Sequence, residues 1–418
     1  MARHRGRLGL PDGQPDPLLQ LQAHRTAAQA ATSGFGNPGL VHLGVFGIRP
    51  ARAGCHLLAV GHHQQGDRDG SAARTATCWV AAVAKHTEQK STRIAIVGAT
   101  SLRGKELKEL LATSRLATGN LALLDDDEAL GQLTEYAGEP TFVQGIETET
   151  FQPGQVVFFA STNPDFTRQH WQKAAAADCV LVDLSHALLD VEGAVVRVAF
   201  LPREKGSASR RWLVSPHPGV LILLAILLPF HRRFGLTRAV AHVFEPVSER
   251  GAAGIEELQR QTVNLLSFQE APRAVYDSQV AFNLLAEYGE RSRAPLHEVE
   301  AIVARELGCC SADLAARTAL RLLQPPVFHG VGVSIWAEFD QVPAPATIEE
   351  MFSGSWVQVR SQQEGVPAVS DAAGRNDILL ARVMPDRTHP GAFWFWAVAD
   401  NLRLAVRNAV ALAEDIVA

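Results

Sequence analysis

The first candidate for ligand chemistry in the sequence is a turn with two glycines, GATSLRG, which follows a short apolar run and precedes a helical pattern. A helix N-terminus presents free backbone N–H groups and partial positive charge, so it can hold a pyrophosphate. A tight turn kept for packing explains the spacing equally well. The candidate nucleotide contacts are Gly98, Thr100, Ser101, Leu102, Gly104 and Ser161.

An acidic turn, DDDE, follows the second predicted strand and begins at Asp125. A carboxylate at this position suits ribose hydroxyls and repels a 2′-phosphate. We therefore predict that a bound dinucleotide is NAD, with NADP disfavoured. The alternative is a solvated acidic turn without a ligand.

The stretch SPHPGVLILLAILLPF, residues 215–230, places one histidine between two prolines ahead of a long apolar run. Pro218 fits the first position of a helix, because its φ is fixed and its missing N–H is not needed there. Either Ser215 or His217 could cap that helix. The run reads as a buried helix.

Composition and cysteine usage exclude several classes of protein. A formal net charge of −5 gives no sign of a nucleic-acid surface. The uncharged run Gly219–Leu228 is shorter than the roughly 20 residues that span a bilayer, so no membrane segment is expected. The five cysteines lack metal-ligand spacing, and Cys309 and Cys310 read as small helix residues. We predict no metal site, reduced thiols and a cytoplasmic location.

Strands alternate with helices over residues 91–230, which predicts a parallel, doubly wound sheet of the Rossmann type. The predicted strands are Arg93–Val97, Asn120–Leu124, Val156–Thr162 and Cys179–Ser185. Residues 231–384 instead combine half-exposed strands with amphipathic helices, which predicts a second, α+β domain. Residues 385–418 read as a strand followed by a long helix.

Residues 1–90 show no sustained periodicity and are rich in arginine and histidine. Such a segment cannot bury enough apolar surface to offset the entropy of ordering, so a disordered leader is expected. One hypothesis is that the true start lies near Ser91. The other is a targeting segment.

Five segments together resemble the aspartate-semialdehyde dehydrogenases and, more distantly, the N-acetyl-glutamyl-phosphate reductases. They are IAIVGATSLRGKELKELL, EPVSERGAAGIEELQRQT, SQVAFNLL, PPVFHGVGVSIWAEF and FWAVADNLRLAVRNAVALAE. The resemblance covers roughly residues 92–418. It implies a nucleotide domain, a dimerisation domain whose sheet packs against its twin, and a C-terminal helix that returns to the first domain.

The resemblance also implies a reaction, the reduction of an acyl phosphate through a cysteine thioester. The residues that carry this chemistry in the family are replaced at all three positions that we matched. Pro218 stands at the nucleophile position, Val331 at the acid/base histidine and Leu189 at the arginine that holds the substrate's anionic group. His217 could act as a base but has no nucleophile beside it, and His329, which precedes Gly330, reads as a side chain at a strand end. A catalytic role for either histidine is the less favoured alternative. Asn401 matches a segment beside the nicotinamide pocket and is a further candidate cofactor contact.

Three hypotheses follow from these residues. The first is a relative of the dehydrogenases that binds a dinucleotide and dimerises, alone or with an active relative, without acyl chemistry. The second is an NAD(P)-dependent oxidoreductase that transfers hydride to an aldehyde or another substrate without a covalent intermediate. The third is the family reaction carried by an unrecognised nucleophile.

Overall fold

The computed structural model describes residues 92–202, 211–352 and 356–417. The predicted leader, residues 1–90, lies outside the described residues. The predicted fold class is confirmed, because a parallel-sheet domain is followed by a domain built on a mixed sheet.

The first domain is built on a seven-stranded sheet in which all the pairings are parallel. Its helices are α1 (Leu102–Ala112) and α2 (Pro164–Ala176). The strands of this half of the chain are β1 (Ile94–Val97), β2 (Leu121–Asp125), β3 (Leu133–Tyr136), β4 (Glu139–Phe142), β5 (Gln144–Gly145), β6 (Val156–Phe159), β7 (Val180–Asp183), β8 (Val195–Val196) and β9 (Trp212–Val214). The order is β5-β2-β1-β6-β7-β9-β8, and β3 and β4 form a separate hairpin.

The central strands β1, β6 and β7 are buried along their whole length, since helices cover both faces of the sheet. On one face, Leu107 and Leu111 of α1 join the same apolar cluster as Ile96 and Phe158. On the other face, Ala174 of α2 packs with the side chains that alternate with these. The continuous apolar runs that predicted buried strands arise from this two-sided covering.

The second domain begins with a long buried helix and contains a mixed sheet of order β11-β10-β12-β16-β14-β13, with β15 paired to β16. Its helices are α3 (Pro218–Phe234), α4 (Gly251–Leu266), α5 (Leu296–Cys310), α6 (Ala312–Ala316), α7 (Pro345–Met351) and α8 (Asn401–Val417). Its strands are β10 (Leu236–Phe244), β11 (Thr318–Leu323), β12 (Val331–Phe339), β13 (Val357–Val359), β14 (Ile378–Leu380), β15 (Met384–Pro385) and β16 (Ala392–Ala399).

One face of this mixed sheet is buried under α3, where Val243, Ile335 and Phe395 share an apolar cluster with Ile222 and Ile226. The opposite face is partly open: Val240 is 39% and Trp394 is 42% exposed. The alternation of buried and accessible residues in β10 and β12 reflects these two environments.

Helix α8 connects the two domains, because it leaves β16 of the second sheet and packs against α1 of the first domain. Its residues Val406, Ala409 and Val410 belong to the core of the parallel sheet. Within the described residues, no helix has the length and hydropathy required to cross a membrane.

Candidate functional site

The glycine turn lies at the carboxyl edge of the first sheet, between β1 and α1. Gly98 has φ of +83°, and a Cβ there would lie 2.6 Å from the backbone nitrogen of Ser161, just beyond β6. A Cβ on Gly104 would lie 2.3 Å from the Gly98 carbonyl oxygen. Both glycines are therefore required by the close approach of α1 to the sheet, whether or not a ligand binds.

Ser101 caps helix α1. Its Oγ accepts a hydrogen bond from the Gly104 N–H and donates one to the Ala160 carbonyl oxygen at 2.8 Å. The next two residues, Leu102 and Arg103, open the helix, so their N–H groups have no partner within it. This geometry leaves two donors at the start of α1 for an anion.

Asp125 ends strand β2 and faces the glycine turn. Its Oδ2 accepts hydrogen bonds from the Thr100 N–H at 2.8 Å and from the Thr100 hydroxyl at 2.7 Å. The carboxylate is buried, while Asp126, Asp127 and Glu128 are exposed. The acidic turn thus presents one carboxylate fixed at the turn and three that face solvent.

The N-terminus of α3, called here the head of α3, is capped by neighbouring protein residues. Pro218 occupies the first helical position, and His217 is the cap, with Nδ1 accepting from the Gly219 N–H at 3.0 Å. The His217 N–H donates to Glu306 Oε2 of α5 at 2.8 Å. Pro218 has no N–H to offer, while the His217 Nε2 lies 3.7 Å from Glu245 Oε2 and is buried without a hydrogen-bond partner.

Two charged residues that sequence reasoning missed, Arg103 and Glu249, form a buried ion pair between the domains. Arg103 Nη2 lies 2.5 Å from Glu249 Oε2, and Nη1 donates to the Leu184 carbonyl oxygen at 2.8 Å. The Asn401 side chain donates to Glu249 Oε1 at 2.6 Å. Burial opposes the charged carboxylate, but the Arg103 guanidinium outweighs it and lowers the pKa of Glu249 to about 2.

A second buried pair joins His186, which follows β7, to Glu306. The His186 Nδ1 lies 2.6 Å from Glu306 Oε1. Burial disfavours the imidazolium, but the Glu306 carboxylate outweighs it and raises the pKa of His186. Burial lowers the pKa of His217, which therefore favours its neutral form. We call Arg103, His186, His217, Glu249, Glu306 and Asn401 the buried polar cluster.

The buried polar cluster lies among the positions singled out from the sequence. Asn401 Oδ1 accepts from the Gly330 N–H at 2.8 Å, next to Val331 at the start of β12. Pro218 follows His217, and Leu189 lies three residues beyond His186 with its N–H bonded to the His186 carbonyl oxygen. Chain continuity and hydrogen bonds thus connect Pro218, Leu189 and Val331, the three positions matched to the family's catalytic residues, to one cluster.

The remaining candidate catalytic residues, a histidine and two cysteines, are either exposed to solvent or unreactive near neutral pH. His329 is exposed, and so is Cys309 at the end of α5. Burial raises the pKa of Cys310 to about 12, so this thiol stays protonated near neutral pH. In the described part of the chain, no group of three or more His, Cys, Asp or Glu residues is arranged to hold a metal ion.

Comparison with known proteins gives the same picture of two domains. Residues 93–205 match the family description "Semialdehyde dehydrogenase, NAD binding domain", and residues 227–404 match "Semialdehyde dehydrogenase, dimerisation domain". A USG-1 protein homolog from Azotobacter vinelandii is 30% identical over 333 residues, which are 78% of this chain and 97% of that protein. An aspartate-semialdehyde dehydrogenase from Rickettsia bellii is 24% identical, over 78% of this chain and 98% of the enzyme.

A solved structure extends the comparison to three dimensions. The crystal structure of aspartate semialdehyde dehydrogenase II from Vibrio cholerae, complexed with ASA, superimposes with a TM-score of 0.71. It covers 78% of this chain and 98% of that one at 24% identity. At that identity the likeness supports the fold.

Proposed function

The chain belongs to the semialdehyde dehydrogenase family, and we propose that it is a member that binds a nucleotide and dimerises but has lost the acyl-phosphate and thioester chemistry. Assembly with an active relative and a cytoplasmic location remain predictions.

The observation that carries the proposal is the buried polar cluster. In an acyl-transfer site, a cation and an acid/base group must face the substrate. Here Arg103 is paired with Glu249, and His186 is paired with Glu306. These charges satisfy one another, and Pro218 beside them offers neither thiol nor hydroxyl.

The activity test is phosphate-dependent oxidation of aspartate semialdehyde by the purified chain with NAD and with NADP. We expect no turnover. Pro218→Cys alone should not restore it, because a thiol without its base stays mostly protonated near pH 7. The triple variant Pro218→Cys/Val331→His/Leu189→Arg should gain at most weak activity, since such residues act as a unit.

Turnover by the unaltered chain would contradict the proposal, and alkylation of its cysteines would then separate the remaining hypotheses. Activity that survives alkylation would support hydride transfer without a thioester. Activity lost on alkylation would indicate a relocated thiol, and Cys309→Ser and Cys310→Ser would be the first variants to test.

The open face of the mixed sheet supports the homodimer. Val240, Trp336 and Trp394 are paired across β10, β12 and β16, so their side chains form one row on this face. Asp386 accepts hydrogen bonds from both indole N–H groups, at 3.1 Å from Trp336 and 2.8 Å from Trp394. Oriented tryptophans on an open sheet are typical of interface hot spots.

Trp394→Glu should therefore convert the dimer to a monomer in sedimentation velocity at micromolar concentration. The matched control is Leu133→Glu, because Leu133 is 66% exposed on the β3–β4 hairpin of the first domain. A monomeric unaltered chain would contradict the dimer proposal.

A further inference from the structure

Arg103 is unusual for a residue in the first turn of a helix at a nucleotide site. Its side chain is only 6% exposed and carries a positive charge away from the helix start, toward the second domain. It reaches the Leu184 carbonyl oxygen directly after β7 and Glu249 in the segment between β10 and α4. The guanidinium thus crosses the carboxyl edge of the sheet from α1 to β7.

This edge has two halves, separated by the glycine turn. In doubly wound folds the pyrophosphate sits at the first helix N-terminus, and the acidic residue after the second strand takes the adenosine ribose. The second half of a dinucleotide must then lie on the other side, over β6 and β7. Asp125 lies in the first half, at the end of β2, and the Arg103 side chain extends across the second half, over β6 and β7.

The first half keeps groups that suit an adenosine diphosphate. Asp125 Oδ1 accepts one hydrogen bond, from the Asp126 N–H at 3.1 Å, so it has capacity for a ribose hydroxyl. The N–H groups of Leu102 and Arg103 open α1 and can receive a phosphate oxygen.

The second half is filled by protein. The Arg103 guanidinium, the Glu249 carboxylate and the Asn401 amide are joined by hydrogen bonds of 2.5–2.6 Å, and all three residues are at least nine-tenths buried. A nicotinamide ring over β7 would meet the Arg103 guanidinium where it is bonded to the Leu184 carbonyl oxygen. Displacing that guanidinium would leave Glu249 buried without its cation, which is strongly unfavourable.

We infer that Arg103 excludes the nicotinamide half of a dinucleotide, so that the site takes an adenine nucleotide such as ADP and gains nothing from the rest of NAD. The inference rests on the proposed function, because it assigns the ligand of the same nucleotide site. It is tested by binding alone, and turnover does not enter the readout.

The experiment measures ADP and NAD⁺ binding to the full chain by isothermal titration calorimetry. Saturation-transfer NMR on NAD⁺ then shows which end of the ligand contacts protein. For the unaltered chain we expect NAD⁺ to bind no tighter than ADP, with saturation of the adenine protons and none of the nicotinamide protons.

The double variant Arg103→Ala/Glu249→Ala removes both charges, so neither is left buried and unpaired. In this variant the affinity for NAD⁺ should rise by about tenfold relative to the affinity for ADP, equivalent to about 1.4 kcal/mol. The nicotinamide protons should become saturated. Lys105→Ala is the control, since Lys105 is an exposed cation on the same helix, and it should leave both readouts unchanged.

Three results would overturn the inference. They are saturation of the nicotinamide protons in the unaltered chain, an unchanged NAD⁺-to-ADP ratio in the double variant, and no binding of either ligand. Each of these binding results can occur whether or not the chain turns over substrate in the activity assay. Failure of this inference can therefore be distinguished from failure of the proposal that the chain has lost its acyl chemistry.

Discussion

The glycine turn and the head of α3 lie at the same carboxyl edge of the parallel sheet, but their polar groups are arranged in opposite ways. At the turn, the first N–H groups of α1 have no partner within the helix, and three acidic side chains face solvent. At the head of α3, Pro218 removes one donor and His217 and Glu306 occupy the others. One edge of a sheet can therefore leave helix N–H donors open at one point and pair them with protein groups at another.

The largest expected effect comes from breaking the buried polar cluster. Glu249→Ala leaves Arg103 buried without its anion and should reduce the free energy of unfolding by about 3–5 kcal/mol, measured by urea denaturation. The control Glu256→Ala removes an exposed partner of Arg260 and should cost about 0.5 kcal/mol or less. A loss at Glu249 no larger than at Glu256 would show that the cluster does not stabilise the fold.

The glycine turn should respond through packing. In Gly104→Ala the new methyl group would meet backbone atoms of residues 98 and 99 that cannot move aside, so we expect a loss of about 1–3 kcal/mol in unfolding free energy. Gly119 is the matched control, because a Cβ there meets nothing within 4 Å. Equal effects at the two glycines would contradict the close approach of α1 to the sheet.

The pair of His186 and Glu306 should give the cluster a pH dependence. Since the pKa of His186 is raised by Glu306, despite burial, its contribution to stability is full below the unfolded pKa of about 6.5 and is lost as pH rises through the raised value. Glu306→Gln should therefore cost about 1.5–3 kcal/mol at pH 6 and distinctly less at pH 9, by urea denaturation.

His217 opposes this trend, because burial lowers its pKa and its contribution is lost as pH falls below about 6.5. Comparing Glu306→Gln with the unaltered chain at each pH cancels most of that background. A cost that grew toward pH 9 would show that His186 is not the cation of this pair.

The smallest effect concerns the acidic turn, where we expect NAD to bind about tenfold more tightly than NADP, equivalent to about 1.4 kcal/mol. This lies between the values of an exposed and a partly buried like-charge contact. Asp125→Ser/Asp127→Arg should abolish this preference in calorimetric titrations. Because Asp125 also holds Thr100, Asp127→Arg alone is the matched variant that leaves the turn intact. Tighter NADP binding by the unaltered chain would show that the acidic turn does not disfavour a 2′-phosphate.

Local patterns were enough to predict much of the fold. Val156–Phe159 and Val180–Asp183 are buried on both faces, and their uninterrupted apolar composition predicted this directly. The role of Pro218 as the first residue of α3 was also predictable, because proline favours that position through its own φ and missing N–H.

The ion pair of Arg103 and Glu249 could not be predicted in the same way. Its partners are 146 residues apart and meet only because α1 and the segment after β10 converge in the folded chain. Each residue lies in a segment that the sequence analysis singled out, GATSLRG and EPVSERG, and a charged residue in each was the only local signal. No periodicity specifies which distant charge a buried arginine will find.

The position of helix α8 affects how the chain folds during its synthesis on the ribosome. Val406, Ala409 and Val410 complete the core that begins with Ile94 and Ile96, although the two segments are synthesised at opposite ends of the described chain. Until α8 has been synthesised, the α1 side of the parallel sheet lacks part of its apolar cover. The parallel-sheet domain therefore cannot complete its core before the rest of the chain is made, although domains usually fold in order from the N-terminus. The core of the parallel-sheet domain is thus completed only after the mixed-sheet domain has been translated.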